Sequence, residues 1–276
     1  MPELPEVEIV TRHLHSLVAG RSVTNARLLR EKLSPASPEE FHRGLAGAKI
    51  NFIHRRGKNI LADLSNGRTL LTHLRMSGRF ILLDEEAEEP KFTHAAFHFS
   101  DGTKLLFQDQ RHFGLMKIIA TESLFDDRSL ASLAPEPFSD EFSPAYLFTA
   151  LKRSSRDIKT VLLDQTRVCG VGNIYASEAL HIAGIHPEMR ADRISRPRAA
   201  RLHDAIRRVL AATIAIGEAI TPDPSNIGGN IYGEAADGDW LVYSREGRPC
   251  PACGEPIRRM KQAGRSTFFC RRCQRR

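Results

Sequence analysis

Cys250-Pro251-Ala252-Cys253 and Cys270-Arg271-Arg272-Cys273 form two C-x2-C knuckles sixteen residues apart, within the spacing of a zinc ribbon. Four thiolates close a tetrahedral shell and leave no open position, so the expected ion, one Zn2+ per chain, is structural rather than catalytic. A segment of about thirty residues has little core of its own, and metal binding supplies the missing folding energy. Gly264 is placed to turn a β-hairpin between the knuckles, with Arg265 at its tip and Ser266–Phe269 returning to the second pair. A planar guanidinium held rigidly there suits a phosphate, which it grips through two parallel hydrogen bonds. The fifth cysteine, Cys169, has no partner at metal spacing and is read as a packing residue.

The ribbon is also where the charge sits. From Arg245 onward ten basic residues face two acidic ones, a local charge of +8 against +7 for the whole chain. With a pI near 9.4, this invites a polyanionic partner. The chain is 41% hydrophobic and 26% charged, which excludes general disorder. No apolar run approaches the roughly 20 residues that span a bilayer, and the acidic start lacks the regions of a signal peptide. An intracellular, soluble, cytoplasmic protein with no membrane partner is expected, acting as a monomer.

A length of 276 residues suggests about two domains. Ser22–Leu29, Lys49–Arg55, Asn59–Leu64, Thr69–Leu74, Arg79–Leu83, Ala95–Phe99, Lys104–Phe107 and Leu115–Ile119 read as short strands. Gly57, Asn66-Gly67, Ser77-Gly78 and Asp101-Gly102 punctuate them, the pattern of an antiparallel sandwich or barrel. Pro135, Pro137 and Ser139-Asp140-Glu141 mark a linker. Beyond it Tyr146–Lys152, Ile158–Asp164, Asn173–Ala183 and Arg198–Ile216 have helical period. A Gly/Pro/Asp-rich loop, Thr221–Asp239, precedes the ribbon.

The opening Met1-Pro2-Glu3-Leu4-Pro5-Glu6-Val7-Glu8 carries the candidate chemistry. A small residue after the initiator predicts removal of Met1, leaving a secondary amine beside a carboxylate. An α-amino group has a pKa of about 7.7–8.0, against about 10.4 for lysine, so about a tenth is free base at neutral pH. An iminium built on a secondary amine has no N–H to lose and remains a cationic electron sink. Glu3 is placed for general acid/base work. A plainer reading accounts for the rest: Pro5 starts a helix whose apolar face is Val7, Val10, Leu14, Leu17 and Val18. That helix leaves Pro2-Glu3 unexplained.

Taken together, Pro2–Glu8, Gly170-Val171-Gly172-Asn173-Ile174-Tyr175-Ala176-Ser177-Glu178 and the four-cysteine ribbon resemble the bacterial formamidopyrimidine-DNA glycosylases along essentially the whole chain. The resemblance implies an α+β multidomain protein: an N-terminal antiparallel β-sandwich over 1–133, a helix-two-turn-helix domain over 134–239 and a β-hairpin zinc ribbon over 240–276. It implies an enzyme that excises oxidised purines such as 8-oxoguanine and formamidopyrimidines from double-stranded DNA and cuts the abasic strand by β,δ-elimination. By the same resemblance Pro2 is the Schiff-base nucleophile, Glu3 its acid/base partner, Lys58 a lysine acting in β-elimination and Arg265 a phosphate-gripping arginine acting in δ-elimination. Met76, Arg111 and Phe113 match a trio that fills the void left by an everted base. His94, Arg153, Lys159 and Asn173 are further expected DNA contacts, Asn173 at a helix start whose N–H groups can receive a phosphate.

The chain also departs from the family pattern. Phe92 replaces a histidine, Ser154 and Ser155 dilute the basic cluster near Arg153, Ser244 stands where glycine is common, and Thr221–Asp239 does not resemble the usual lesion-covering loop. Two alternatives stay open: a relative of the endonuclease VIII group acting on oxidised pyrimidines, and a non-catalytic zinc-ribbon protein that binds distorted DNA.

Overall fold

The structure is a computed structural model and describes residues 1–227 and 240–276. Helix α1 (Leu4–Val18) begins at the proline and acidic cues of the opening motif and buries Val7, Val10, Leu14 and Val18. The Glu3 N–H donates to Glu6 Oε2 at 2.7 Å, so one donor that helix geometry would orphan is satisfied locally. A second helix, α2 (Pro38–Leu45), was not anticipated from the apolar period. Its start signal is nevertheless complete: Ser37 Oγ accepts from the Glu40 N–H, and Glu40 Oε2 accepts from the Ser37 N–H.

The eight expected strands are all present, within two residues of their expected ends: β1 (Val23–Leu28), β2 (Ile50–Arg56), β3 (Asn59–Leu64), β4 (Arg68–His73), β5 (Gly78–Asp84), β6 (Thr93–Phe99), β7 (Thr103–Asp109) and β8 (Leu115–Ala120). They form two antiparallel four-stranded sheets, ordered β1-β6-β7-β5 and β2-β3-β4-β8. This is the β-sandwich that alternating patterning favours. Val7, Leu14, Phe41, Ile53, Phe80, Phe97 and Phe107 belong to one buried apolar cluster. A short helix, α3 (Arg128–Ala131), follows β8.

The chain divides into two compact units. The first holds Met1–Ala131 and the stretch beginning at Ile216; the second holds Ser132–Ala215 and the C-terminal segment ending at Arg276. The second unit carries α4 (Pro144–Lys152), α5 (Ile158–Leu162), α6 (Asn173–Ile182), most of α7 (Arg196–Glu218), and the hairpin β9 (Arg258–Gln262) and β10 (Arg265–Phe269). In the stretch read as a linker, the Ala134 N–H donates to Gln165 O and Phe142 is buried. Of the Thr221–Asp239 loop, a turn at Pro224–Asn226 and the bond from the Ile227 N–H to Phe80 O are described; residues 228–239 lie outside the described residues. Among the described residues no helix is long and apolar enough to cross a membrane.

Candidate functional site

In the first unit the expected chemistry gathers at the start of α1 and at the hairpin turns. Pro2 and Glu3 are buried, while Met1 is 52% exposed. Lys58 is buried in the two-residue β2–β3 turn, where Arg56 pairs with Asn59. Gly57 has φ +61°, the left-handed conformation that a II′ hairpin turn requires at its first position. Glu8 ties this turn to α1. Its carboxylate accepts from Arg55 Nε at 2.7 Å and Arg12 Nε at 2.8 Å, and Arg55 Nη1 donates to Gly57 O at 2.9 Å. Burial pushes the Glu8 carboxyl up, but Arg55 and Arg12 outweigh it and hold the group below its ordinary value.

Near Lys58 is His73, which the sequence reading did not single out. Its pKa is lowered to about 4, first by burial and then by the Arg75 and Lys58 charges. The ring is therefore neutral at physiological pH. Its Nδ1 accepts from the Arg75 N–H at 3.0 Å, which assigns the ring proton to Nε2.

Met76 and Phe113 are exposed, at 43% and 55%, outside the apolar core. Each follows a non-glycine residue with positive φ, Arg75 at +55° and His112 at +62°. Arg111 is exposed too, its guanidinium carbon 5.5 Å from the centre of the Phe113 ring. His94, expected as a DNA contact, is buried, and its Nε2 lies 2.8 Å from Asp109 O. A carbonyl can only accept, so Nε2 is the protonated nitrogen. His112 Nδ1, 2.9 Å away, must then accept from that same N–H.

In the second unit the cysteines converge. The ligand sulfurs of Cys250, Cys253, Cys270 and Cys273 all lie within 4.8 Å of one another, with Cys250 and Cys273 at 3.9 Å and Cys253 and Cys270 at 3.5 Å. Tetrahedral zinc with bonds of about 2.3 Å needs sulfurs about 3.8 Å apart. The four cysteines fit one structural zinc. His181 Nε2, 3.4 Å from Cys250 Sγ, is placed to donate to that thiolate.

Between the knuckles the chain turns at Ala263-Gly264, with φ of +47° and +77°, the two positive values of a I′ hairpin turn. Arg265 follows it, exposed and paired with Gln262. The next carbonyl, Ser266 O, accepts from Asn173 Nδ2 at 3.0 Å and Lys159 Nζ at 3.3 Å. Lys159 is only 1% exposed and also donates to Thr267 Oγ1 at 2.7 Å. The basic cluster read from sequence thus separates: Arg153 caps α4 on the surface, whereas the Lys159 ammonium grips the returning strand. Asn173 opens α6 after Gly172. Sequence reasoning also gave no role to Glu178. Its buried carboxylate accepts from the N–H groups of Leu241, Val242 and Tyr243 at 2.8–3.0 Å, fastening the entry to the ribbon onto α6. Burial raises its pKa despite these three donors.

Three family models match in chain order: the formamidopyrimidine-DNA glycosylase N-terminal domain over residues 1–116, the H2TH domain of the same glycosylases over 133–225, and a zinc finger found in FPG and IleRS over 247–276. The formamidopyrimidine-DNA glycosylase of Listeria innocua is 41% identical over 275 residues, covering 99% of this chain and all of that one. That of Bacillus subtilis is 39% identical, covering 99% of each. Among solved structures, Lactococcus lactis Fpg in complex with DNA containing an abasic site superposes with a TM-score of 0.90 at 32% identity, over 99% of this chain and 100% of that one. The same protein bound to N7-benzyl-Fapy-dG DNA gives 0.90 over 100% of both. The chain belongs to the formamidopyrimidine-DNA glycosylase family.

Proposed function

We propose that this base-excision-repair glycosylase and abasic-site lyase works through the nitrogen of Pro2 once Met1 is removed. The observation that carries the reading is the Pro2-Glu3 pair, buried at the head of α1 behind an exposed initiator. Attack of the ring nitrogen on sugar C1′ expels the oxidised purine; the nitrogen then gives up its proton, and opening of the C1′–O4′ bond, with a proton delivered to O4′, leaves an iminium. That cation draws electrons from the adjacent C1′–C2′ bond region and acidifies the C2′ proton. Loss of the proton expels the 3′ phosphate, and a second elimination expels the 5′ phosphate. Glu3 supplies acid/base help at C1′, and Lys58 serves the first elimination from its turn beside α1. Arg265 grips the phosphate that leaves in the second.

The remaining assignments concern the DNA. Met76, Arg111 and Phe113 fill the gap left by the everted base, as their exposure at two adjacent turns suits them to do. Arg153 and the start of α6 at Asn173 receive backbone phosphates, whereas Lys159 and His94 act from inside the protein. The domains are taken as 1–133, 134–239 and 240–276, and the protein as a cytoplasmic monomer. One experiment tests the substrate class: cleavage of matched 8-oxoguanine and thymine-glycol duplexes at one salt concentration. Faster cleavage of the purine lesion, with phosphate on both new ends, is expected. Preference for thymine glycol would move the chain to the pyrimidine-specific reading.

A further inference from the structure

Asp109 is 0% exposed, and none of the chemistry above uses it. It is the last residue of β7 and pairs across the sheet with Gly78, the first residue of β5. One carboxylate therefore sits between the turn that carries Met76 and the turn that carries Arg111 and Phe113. Asp109 Oδ1 accepts from the Ser77 hydroxyl and, at 3.1 Å, from the Arg111 N–H. Its Oδ2 accepts from the Gly114 N–H at 2.7 Å. The residue's own carbonyl accepts from His94 at 2.8 Å. Burial pushes the carboxyl up, but the Ser77 hydroxyl and the N–H groups of Gly114, Arg111 and Phe113 outweigh it and keep it ionised. An acceptor-only carboxylate can satisfy all three donors at once; an amide cannot, because its NH2 would face the Gly114 N–H or displace the Ser77 and Arg111 donors from the other oxygen.

The packing around it leaves little room for another arrangement. A Cβ at Gly78 would lie 2.5 Å from Leu74 O, and one at Gly114 would lie 2.8 Å from the Phe107 ring. Both turns are pressed onto Phe107 and joined by Asp109.

We propose that Asp109 is a positioning residue for base eversion: it holds the two turns in register so that Met76, Arg111 and Phe113 enter the duplex as one unit. This inference rests on the void-filling reading of those three side chains. It assigns Asp109 no part in bond breaking, so its loss weighs on substrates whose base must leave a stacked, paired helix. Substrates with no base to evert are spared.

The test compares wild type, Asp109→Asn and Phe113→Ala on two substrates: 8-oxoguanine in a matched duplex, and a preformed abasic site in a single strand trapped with borohydride. Zinc content and thermal unfolding identify any variant that fails to fold. For Asp109→Asn we expect kcat/KM on the duplex to fall roughly tenfold or more, with trapping on the single strand changed by less than about twofold. Phe113→Ala should be impaired on the duplex as well. If Phe113→Ala is slow and Asp109→Asn matches wild type on the duplex, the inference is overturned and the void-filling reading stands. If both variants match wild type, the void-filling reading itself fails. Equal loss on both substrates by a folded Asp109→Asn protein would also overturn the inference, because it would place Asp109 in the chemistry. Should Asp109→Asn fail to fold, Ser77→Ala removes the hydroxyl that donates to Asp109 and accepts from the Arg111 N–H at 3.1 Å, and the same split between substrates decides.

Discussion

His73 shows how a single side chain can be set by its neighbours. An ordinary histidine titrates near 6.5, whereas here burial, Arg75 and Lys58 lower the pKa to about 4. The folded state therefore binds fewer protons than the unfolded state between these values. Its contribution to stability is fully present above 6.5 and is lost as pH falls toward 4. In His73→Asn the side-chain oxygen can still accept from the Arg75 N–H, and nothing titrates. Between pH 7.5 and 5, urea unfolding should show wild type losing roughly 2 kcal/mol more than this variant. Equal losses would contradict the assignment of a half-buried neutral ring. None of this was legible in the sequence, where His73 is one of eleven histidines. Its state depends on charges brought together by the β2–β3 and β4–β5 turns.

At the scale of elements, the eight strands and the metal hairpin could be read because each carries its own local cue. Gly57 and Gly264 stand where positive φ is required, and the C-x2-C knuckles converge as their spacing demands. Helix α2 was missed although Ser37 and Glu40 cap it fully, because it is only eight residues long and only three of them are buried, too few apolar positions to set a visible period. Lys159 and Glu178 stood inside recognised stretches, but their buried contacts to the ribbon are long-range and leave no trace in local spacing. The ribbon is accordingly predicted to depend on both its ion and these ties. Cys253→Ser should lose zinc, measured by metal analysis, and weaken duplex binding roughly tenfold or more. The β-sandwich should keep its unfolding transition. A zinc-free variant with unchanged affinity would contradict the role given to Arg265.

For the whole molecule, the basic excess is concentrated beyond Arg245, and sequence reading located it without contact information because charge is additive along a chain. Each phosphate neutralised on binding contributes about −0.9 to the slope of log K against log salt. A slope of about −3 or steeper is expected from titrations over 50–200 mM salt; a flat response would contradict backbone gripping by the tail. What composition could not supply is the meeting of distant residues on one carboxylate, as at Glu8 and Asp109.

Every step from base loss to strand cleavage depends on the nitrogen of Pro2 becoming bonded to the sugar. Borohydride reduction of the protein with 8-oxoguanine duplex, followed by proteolysis and mass spectrometry, reads that bond directly. The prediction is one cross-linked peptide that begins at Pro2, lacks Met1 and carries the sugar on the proline nitrogen. A cross-link at Lys58 or another lysine, or full strand cleavage by protein that retains Met1, would contradict it.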